Sequence, residues 1–176
     1  MVRFCLALAA ATLVGVNASA DDIKLTAENT KIEFTGTKTD GKHTGGFKKL
    51  TGTASGPAAE LKLEVTIEIS SMFSDDDKLT GHLKSPDFFN AKEFPKAMFK
   101  IIKTEKSDKG FKHTGDLTML GKSKPVAFES ATKVEGGALM LASEFKIKRS
   151  EWGMTYGTGK IDDDVALKIT VDTSKK

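Results

Sequence analysis

The chain has 176 residues and a formal net charge of +3, with 27 lysine or arginine residues against 24 aspartate or glutamate residues. The basic residues are nearly all lysines dispersed along the sequence, and no block of five or more like charges occurs. A surface of mixed sign gives little support for a nucleic-acid partner. The only cysteine, Cys5, lies near the N-terminus, which excludes a disulfide framework, thiol catalysis and a cysteine metal site in the rest of the chain.

Residues 1–20 have the features of a cleaved export signal. Arg3 supplies a short positive region, the run 4–16 is apolar and rich in alanine, and Ala18-Ser19-Ala20 offers a cleavage site between small residues. An uncleaved anchor is the alternative, but the apolar run is shorter than a membrane span needs. We therefore predict a signal peptide at 1–20 and one mature domain at 21–176, exported and without a stable membrane anchor.

Alternation of apolar and polar residues predicts about eight strands in the rest of the chain. In the clearest of them, Leu63, Val65 and Ile67 share one face with polar residues opposite, which is typical of an antiparallel sheet with one wet face. No long helical period separates the strands, so an up-and-down topology is favoured. Alternation alone does not distinguish a two-sheet sandwich from a closed barrel. The predicted strands are 31–37, 45–53, 61–70, 97–103, 111–120, 125–130, 137–149 and 164–172.

One short helix is predicted at 75–84. Ser74 is its expected N-cap, the acidic residues that follow suit the positive end of a helix, and Leu79 and Leu83 share a face. This helix leads into residues 81–100, GHLKSPDFFNAKEFPKAMFK, which form an aromatic segment. Prolines interrupt any helical or strand period there, so its phenylalanines must cover an apolar surface or be covered by one. The segment is interpreted either as a plug at the end of a core or as a flap over the mouth of a cavity.

Four motifs carry a family resemblance: SPDFFNAKEFPKAMFK in the aromatic segment, TGGFKKLTG at 44–52, TGDLTMLGKSKPV at 114–126 and KRSEWGM at 148–154. In this order, over about 29–172, they resemble the YceI-like family of periplasmic polyisoprenoid-binding proteins. The resemblance implies an all-β fold, an eight-stranded antiparallel lipocalin-like barrel with one short helix before an aromatic loop, holding a long isoprenoid chain inside. It also implies a periplasmic location and no catalysis.

Two positions depart from the usual pattern of that family. Asn90 stands where an aspartate is usual, which removes a charge near the expected mouth. Leu120 stands where a basic residue is usual, which makes the central turn more apolar. Both changes bear on the preference for a lipid head group.

If the barrel is hollow, its wall is the apolar face of each strand, together with the aromatic segment and Trp152. The alternative for each of these residues is an ordinary core position. In strands 97–103 and 111–120 both faces carry apolar residues, so the pattern does not decide which face points inward. The predicted ligand-binding residues are Phe34, Leu63, Val65, Ile67, Phe88, Phe89, Phe94, Phe99, Leu117, Met119, Leu141, Phe145 and Trp152.

No metal, cofactor or catalytic site is predicted. The three histidines are far apart in the sequence, and neither an HExxH motif nor a paired-histidine spacing occurs. Gly121-Lys122-Ser123 lacks the earlier glycine of a phosphate-binding loop. For a polar head group no site is assigned, and the candidate partners are His82, Lys84, Lys92, Lys96 and Arg149.

The expected function is non-catalytic binding, storage or transport of a polyisoprenoid-type lipid, or of a similar long apolar ligand, in the periplasm. An exported stress-response or protein-interaction module with a barrel filled by its own side chains is the alternative. An enzyme acting on an apolar substrate is the third option, and assembly as a homodimer stays open.

Overall fold

The computed structural model describes residues 22–174, so the predicted signal peptide lies outside the described residues. These residues form one antiparallel sheet and a short helix, α1, and no helix among them is long and apolar enough to cross a membrane. Single 3₁₀ turns occur at Ala58–Glu60, Ile69–Ser71 and Arg149–Trp152. The elements are β1 (Ile23–Thr26), β2 (Thr30–Lys38), β3 (Gly41–Phe47), β4 (Leu50–Ser55), β5 (Lys62–Glu68), β6 (Met72–Ser74), α1 (Asp77–Leu83), β7 (Lys96–Ser107), β8 (Gly110–Met119), β9 (Lys122–Glu135), β10 (Ala138–Lys148) and β11 (Ile161–Asp172).

The sheet curls so that its two ends are joined by the chain itself. Its order is β1-β4-β5-β7-β8-β9-β10-β11-β2-β3-β6. Only short bends separate β1 from β2, β3 from β4 and β5 from β6. β1 pairs with β4 while β2 pairs with β3, and β4 pairs with β5 while β3 pairs with β6. Each of the pairs β1–β2, β3–β4 and β5–β6 thus forms one bent segment. The three bent segments lie side by side and connect both ends of the sheet.

The all-β antiparallel class is confirmed, but the structure has eleven strands where the alternation predicts about eight. The predicted strand 45–53 is divided into β3 and β4 at Lys48 and Lys49. β1 and β6, of four and three residues, were not predicted. A bend breaks the ladder of hydrogen bonds without disturbing the alternation of side chains, and a strand of three or four residues is too short to show a period.

Helix α1 begins two residues later than predicted and has a different cap. Asp76 has an extended backbone, and its Oδ1 accepts a hydrogen bond of 2.7 Å from the N–H of Leu79, the position that an N-cap side chain reaches. The prediction of Ser74 as the cap is wrong. Ser74 belongs to β6, and its hydroxyl donates to the carbonyl oxygen of Asp76 at 2.7 Å.

The structure shows which face of β7 points inward. Ala97, Phe99 and Ile101 face the interior of the sheet, whereas Met98 and Ile102 lie outside and are 42% and 62% exposed. A bulge between Ile101 and Lys103 then shifts the register between β7 and β8. The outward apolar residues and the bulge together explain why alternation could not orient this strand.

A buried polar cluster lies among β7, β8 and β9. His113 is fully buried, and its ring nitrogens form hydrogen bonds with the hydroxyls of Thr104 at 3.0 Å and Ser130 at 2.8 Å. The rings of Phe111 and Phe128 flank the imidazole, at centroid distances of 6.4 and 5.5 Å. Burial disfavours the charged imidazolium and therefore lowers the pKa of His113.

The free energy of unfolding is expected to fall as the pH drops below 6.5, the ordinary pKa of histidine. Because the folded pKa is lowered, the unfolded chain binds the proton first, so the contribution of neutral His113 is complete above this pH and is lost below it. Urea unfolding of the wild type and of His113→Gln between about pH 5 and about pH 7.5 measures the effect. The variant should lose this part of the pH dependence, while His43 and His82 are the same in both proteins. Equal slopes in the two proteins would contradict the assignment.

Candidate ligand-binding cavity

The curled sheet encloses a cavity of about 330 Å³. This volume lies at the lower end of the range of roughly 300–1,000 Å³ found for small-molecule sites. Side chains from nine of the eleven strands and from α1 form its wall. Because alternate residues of a strand point to the same face, each strand contributes its inward apolar register. The cavity is thus a product of the same alternation that predicts the strands.

Eleven of the thirteen predicted binding residues lie in the cavity wall. Nine of them are on β-strands, including Phe99, where the aromatic segment runs into β7, and the remaining two are Phe88 and Phe89. Their contact with a ligand stays a prediction. The strand residues are Phe34, Leu63, Val65, Ile67, Phe99, Leu117, Met119, Leu141 and Phe145.

Phe94 and Trp152, the other two predicted residues, do not line the cavity. Trp152 is 1% exposed, and its Nε1 donates a hydrogen bond of 3.0 Å to the carbonyl oxygen of Leu117. Phe94 is half-buried against the turn between β8 and β9, where a Cβ on Gly121 would lie 3.1 Å from the phenyl ring. Trp152 thus belongs to the buried core beside the wall and Phe94 to the turn after β8, and contact of either residue with a ligand stays a prediction.

Sequence reasoning missed three aromatic residues of the wall, Phe47, Phe128 and Tyr156. Phe128 alternates with Val126 on the inward face of β9, so the strand period could have identified both. Tyr156 lies between the 3₁₀ turn Arg149–Trp152 and β11, where no period exists. Its place in the wall depends on how this connection folds.

Stacked rings stiffen one side of the cavity. The rings of Phe128 and Phe145 are nearly parallel, with centroids 4.6 Å apart, and Phe99 lies 5.7 Å from Phe128. A Cβ on Gly115 would lie 2.6 Å from the tip of the Phe99 ring, so the glycine leaves room for that ring to lie flat on β8. The aromatic rings of the wall are therefore held by contact with the backbone of β8 as well as by stacking on one another.

One end of the cavity, here called the mouth, is formed by His82 of α1, Phe88 of the aromatic segment and Tyr156. The His82 ring lies edge-on to Phe88 and to Tyr156, at centroid distances of 5.0 and 4.8 Å. Backbone hydrogen bonds hold the aromatic segment in place, from Phe88 to the carbonyl of Ser85 and from Phe89 to that of Leu83. The segment is thus a series of hydrogen-bonded turns that brings two phenylalanines to the wall.

The wall also contains ionisable side chains. His82 Nε2 lies 2.8 Å from the Asp87 carboxylate, and His43 Nδ1 lies 3.0 Å from that of Asp75. A hydrogen bond from the N–H of Thr44, together with the one from His43, lowers the pKa of Asp75. Lys38, Arg149 and Asp162 also reach the wall. Of the five candidate head-group partners, only His82 and Arg149 line the cavity, whereas Lys84, Lys92 and Lys96 do not.

Comparison with known proteins identifies the family. The model of the YceI-like domain matches residues 24–173. Protein YceI of Escherichia coli is 31% identical over 138 residues, which cover 73% of this chain and 72% of that protein. The UPF0312 protein plu2095 of Photorhabdus laumondii is 37% identical over 120 residues, 65% of this chain and 62% of that protein, so the chain spans less than two thirds of this relative.

The fold is also found among solved structures. A polyisoprenoid binding domain from Saccharophagus degradans, implicated in plant cell wall breakdown, superposes with a TM-score of 0.69. The superposition covers 88% of this chain and 97% of that domain at 13% sequence identity, so the likeness is one of fold. Since the family model spans nearly all of the described residues and the fold agrees, this chain belongs to the YceI-like family.

Proposed function

We propose that this protein binds a polyisoprenoid-type lipid without catalysis and stores or transports it in the bacterial periplasm. The observation that carries the proposal is the cavity inside the curled sheet, whose wall is built from the inward apolar side chains of nine strands. A solved domain with the same fold is named for polyisoprenoid binding, which supports the same class of ligand. The export signal predicted at 1–20 supports the location.

The proposal includes a lipocalin-like barrel. Counted as one strand each, the bent segments β1–β2, β3–β4 and β5–β6 join the five strands β7 to β11 in a ring of eight antiparallel neighbours. Barrels of eight strands have an interior that side chains can fill or that one small ligand can occupy. The volume of about 330 Å³ that remains here favours the second use.

Transfer of the lipid tail out of water drives binding. Burial of apolar surface is worth roughly 25 cal/mol per Å², or about 0.8 kcal/mol for each methylene. Each isoprene unit that enters the cavity therefore contributes a few kcal/mol before the cost of ordering the chain. Affinity should rise with tail length until the cavity is filled and level off beyond that length.

The apolar chemistry of the wall around the tail supports the proposal of binding without catalysis. Acid–base catalysis needs a group that donates or accepts a proton within reach of the substrate. Side chains such as Leu63, Val65 and Phe99, which form this part of the wall, have no such group. The proposed mechanism is therefore shielding of the tail from water.

Mass spectrometry of the natively purified protein tests the proposal, with the protein sprayed intact and again after organic extraction. The expected result is a stoichiometric adduct whose mass fits repeating isoprene units and which is lost on extraction. A clean apo mass from a folded sample, expressed in a bacterium that makes such lipids, would refute lipid carriage. That outcome would favour the interaction module and direct the search to protein partners.

A further inference from the structure

Arg149 is a buried cation in the wall of the cavity. Its side chain is 6% exposed and lines the cavity close to the connection that carries Tyr156. Its Nε donates to the carbonyl oxygen of Asp162 at 3.0 Å, and its Nη2 donates to that of Ile161 at 3.1 Å. Its Nη1 donates to the carbonyl oxygen of Met154 at 2.8 Å. The guanidinium thereby fastens the loop between β10 and β11.

These three hydrogen bonds leave part of the guanidinium unused. The group is always protonated and has five N–H bonds. Within residues 22–174, carbonyl oxygens account for three of them, so one N–H on each terminal nitrogen is left over. A buried donor without a partner is unfavourable, and the cavity is the space next to it. A ligand that enters the cavity can satisfy these donors.

The positive charge of Arg149 has no direct counter-ion. None of the ion pairs among residues 22–174 includes it, and its three acceptors are neutral carbonyls. The neighbouring carboxylates accept hydrogen bonds from neutral groups, Asp162 from the Thr37 hydroxyl at 2.5 Å and Asp163 from Ser150, and neither forms an ion pair with Arg149. Hydrogen bonds from Ser150 are the main cause of the lowered pKa of Asp163, and the charge of Arg149 is a minor one. Burial of a cation without a paired anion is costly, which favours an anionic ligand atom beside it.

The choice of arginine at this position has a physical reason. Beyond Arg3, every other fixed cation of the chain is a lysine. A guanidinium can hold several acceptors in one plane and is less strongly hydrated than an ammonium group, so it is suited to a buried site that must bind both carbonyls and a ligand oxygen. Lysines such as Lys92 and Lys96 lie exposed and outside the wall.

We infer that Arg149 binds the head group of the lipid, an anionic oxygen of a phosphate or a carboxylate, through its two remaining N–H bonds. This inference rests on the proposed function and adds the class of head group to it. Lys38 in the same wall adds positive charge, whereas Asp162 adds a negative charge that the Thr37 hydroxyl partly satisfies. The head then lies inside the cavity near the mouth, and the tail extends along the apolar wall away from it.

The test compares ligands that share one tail and differ in the head: geranylgeranyl phosphate, geranylgeranoic acid and geranylgeraniol. Binding to the delipidated protein is measured by isothermal titration calorimetry, which needs no probe in the cavity. The phosphate and the acid are expected to bind at least about tenfold more tightly than the alcohol. Arg149→Met should abolish this preference, Arg149→Lys should keep part of it, and Lys92→Met, a change of an exposed cation outside the wall, should leave it intact.

A second measurement needs no variant. In protein labelled with ¹⁵N-arginine, at most two arginine side chains give signals, those of Arg3 and Arg149. The Arg149 signals should shift with the phosphate and the acid and stay in place with the alcohol. This result decides the matter even if Arg149→Met does not fold.

The outcomes separate this inference from the proposed function. Equal binding of all three ligands, or unshifted Arg149 signals in the phosphate complex, would overturn the role of Arg149 and leave lipid binding intact. Loss of the preference in Lys92→Met would assign the head group to the surface lysines. Failure of every ligand to bind would overturn the proposed function itself.

Discussion

Replacement of both Phe88 and Phe89 with serine is expected to release the bound lipid while the protein keeps its β-rich fold. Both side chains line the cavity, and Phe88 is 7% exposed and packs against His82 and Tyr156 at the mouth. Full burial of a phenylalanine side chain is worth about 1.5–3 kcal/mol. If the lipid shares even half of this contact, the double variant should bind it at least about tenfold more weakly.

The measurement is the amount of lipid retained per protein after native purification, together with the far-ultraviolet circular dichroism of the variant. Phe94→Ser is the matched control, because it makes the same chemical change in the same segment but outside the cavity wall. Unchanged retention in a folded double variant would show that the aromatic segment is not a flap. Failure of the double variant to fold, with Phe94→Ser folded, would favour the plug.

The inward residues of the strands were predictable because a single rule positions them. Leu63, Val65 and Ile67 are separated by charged or polar residues, and the pleat of the strand places their side chains on the same face. The same rule fails for β7, where Met98 and Ile102 place apolar side chains on the wet face. There the inward register depends on pairing with β8, which is a property of the folded sheet.

The mouth was only partly predictable, since its residues come from elements without a period. Phe88 and Phe89 were identified because so many aromatic residues beside prolines need cover. Arg149 was one of five candidates for the head group, and nothing in its neighbours distinguished it from the lysines. Its burial results from the hydrogen bonds to Met154, Ile161 and Asp162, which exist only after the loop between β10 and β11 has folded.

The order of the strands explains how a cavity can persist inside this sheet. Hydrogen bonds between the bent segments join the two ends of the sheet, so backbone pairing holds the wall in place. A sheet held in this way does not need a filled interior to keep its shape, unlike two separate sheets that must pack face to face. Packing of the buried core supplies the remaining support, and Trp152 is the largest fully buried side chain among the described residues.

Trp152→Ala is expected to lower the free energy of unfolding by about 3–5 kcal/mol, because it removes a fully buried side chain and leaves a void in the core. Trp152→Phe keeps most of the packing but removes the N–H that donates to the carbonyl of Leu117, which should cost about 1–3 kcal/mol. Urea unfolding followed by circular dichroism measures both, since the variants lack the only tryptophan.

Ligand affinity separates a structural role of Trp152 from a binding role. Trp152→Phe, measured where it is fully folded, should bind lipid as tightly as the wild type, because the side chain does not line the cavity. Phe145→Leu is the matched comparison, since this change falls within the stacked rings of the wall and should weaken binding. If Trp152→Phe instead binds lipid more weakly at unchanged stability, the tryptophan contacts the ligand. The part of the wall formed by β8 must then move when lipid enters. If both variants bind as the wild type does, the lipid does not reach this side of the cavity, and the stacked rings serve the stability of the sheet.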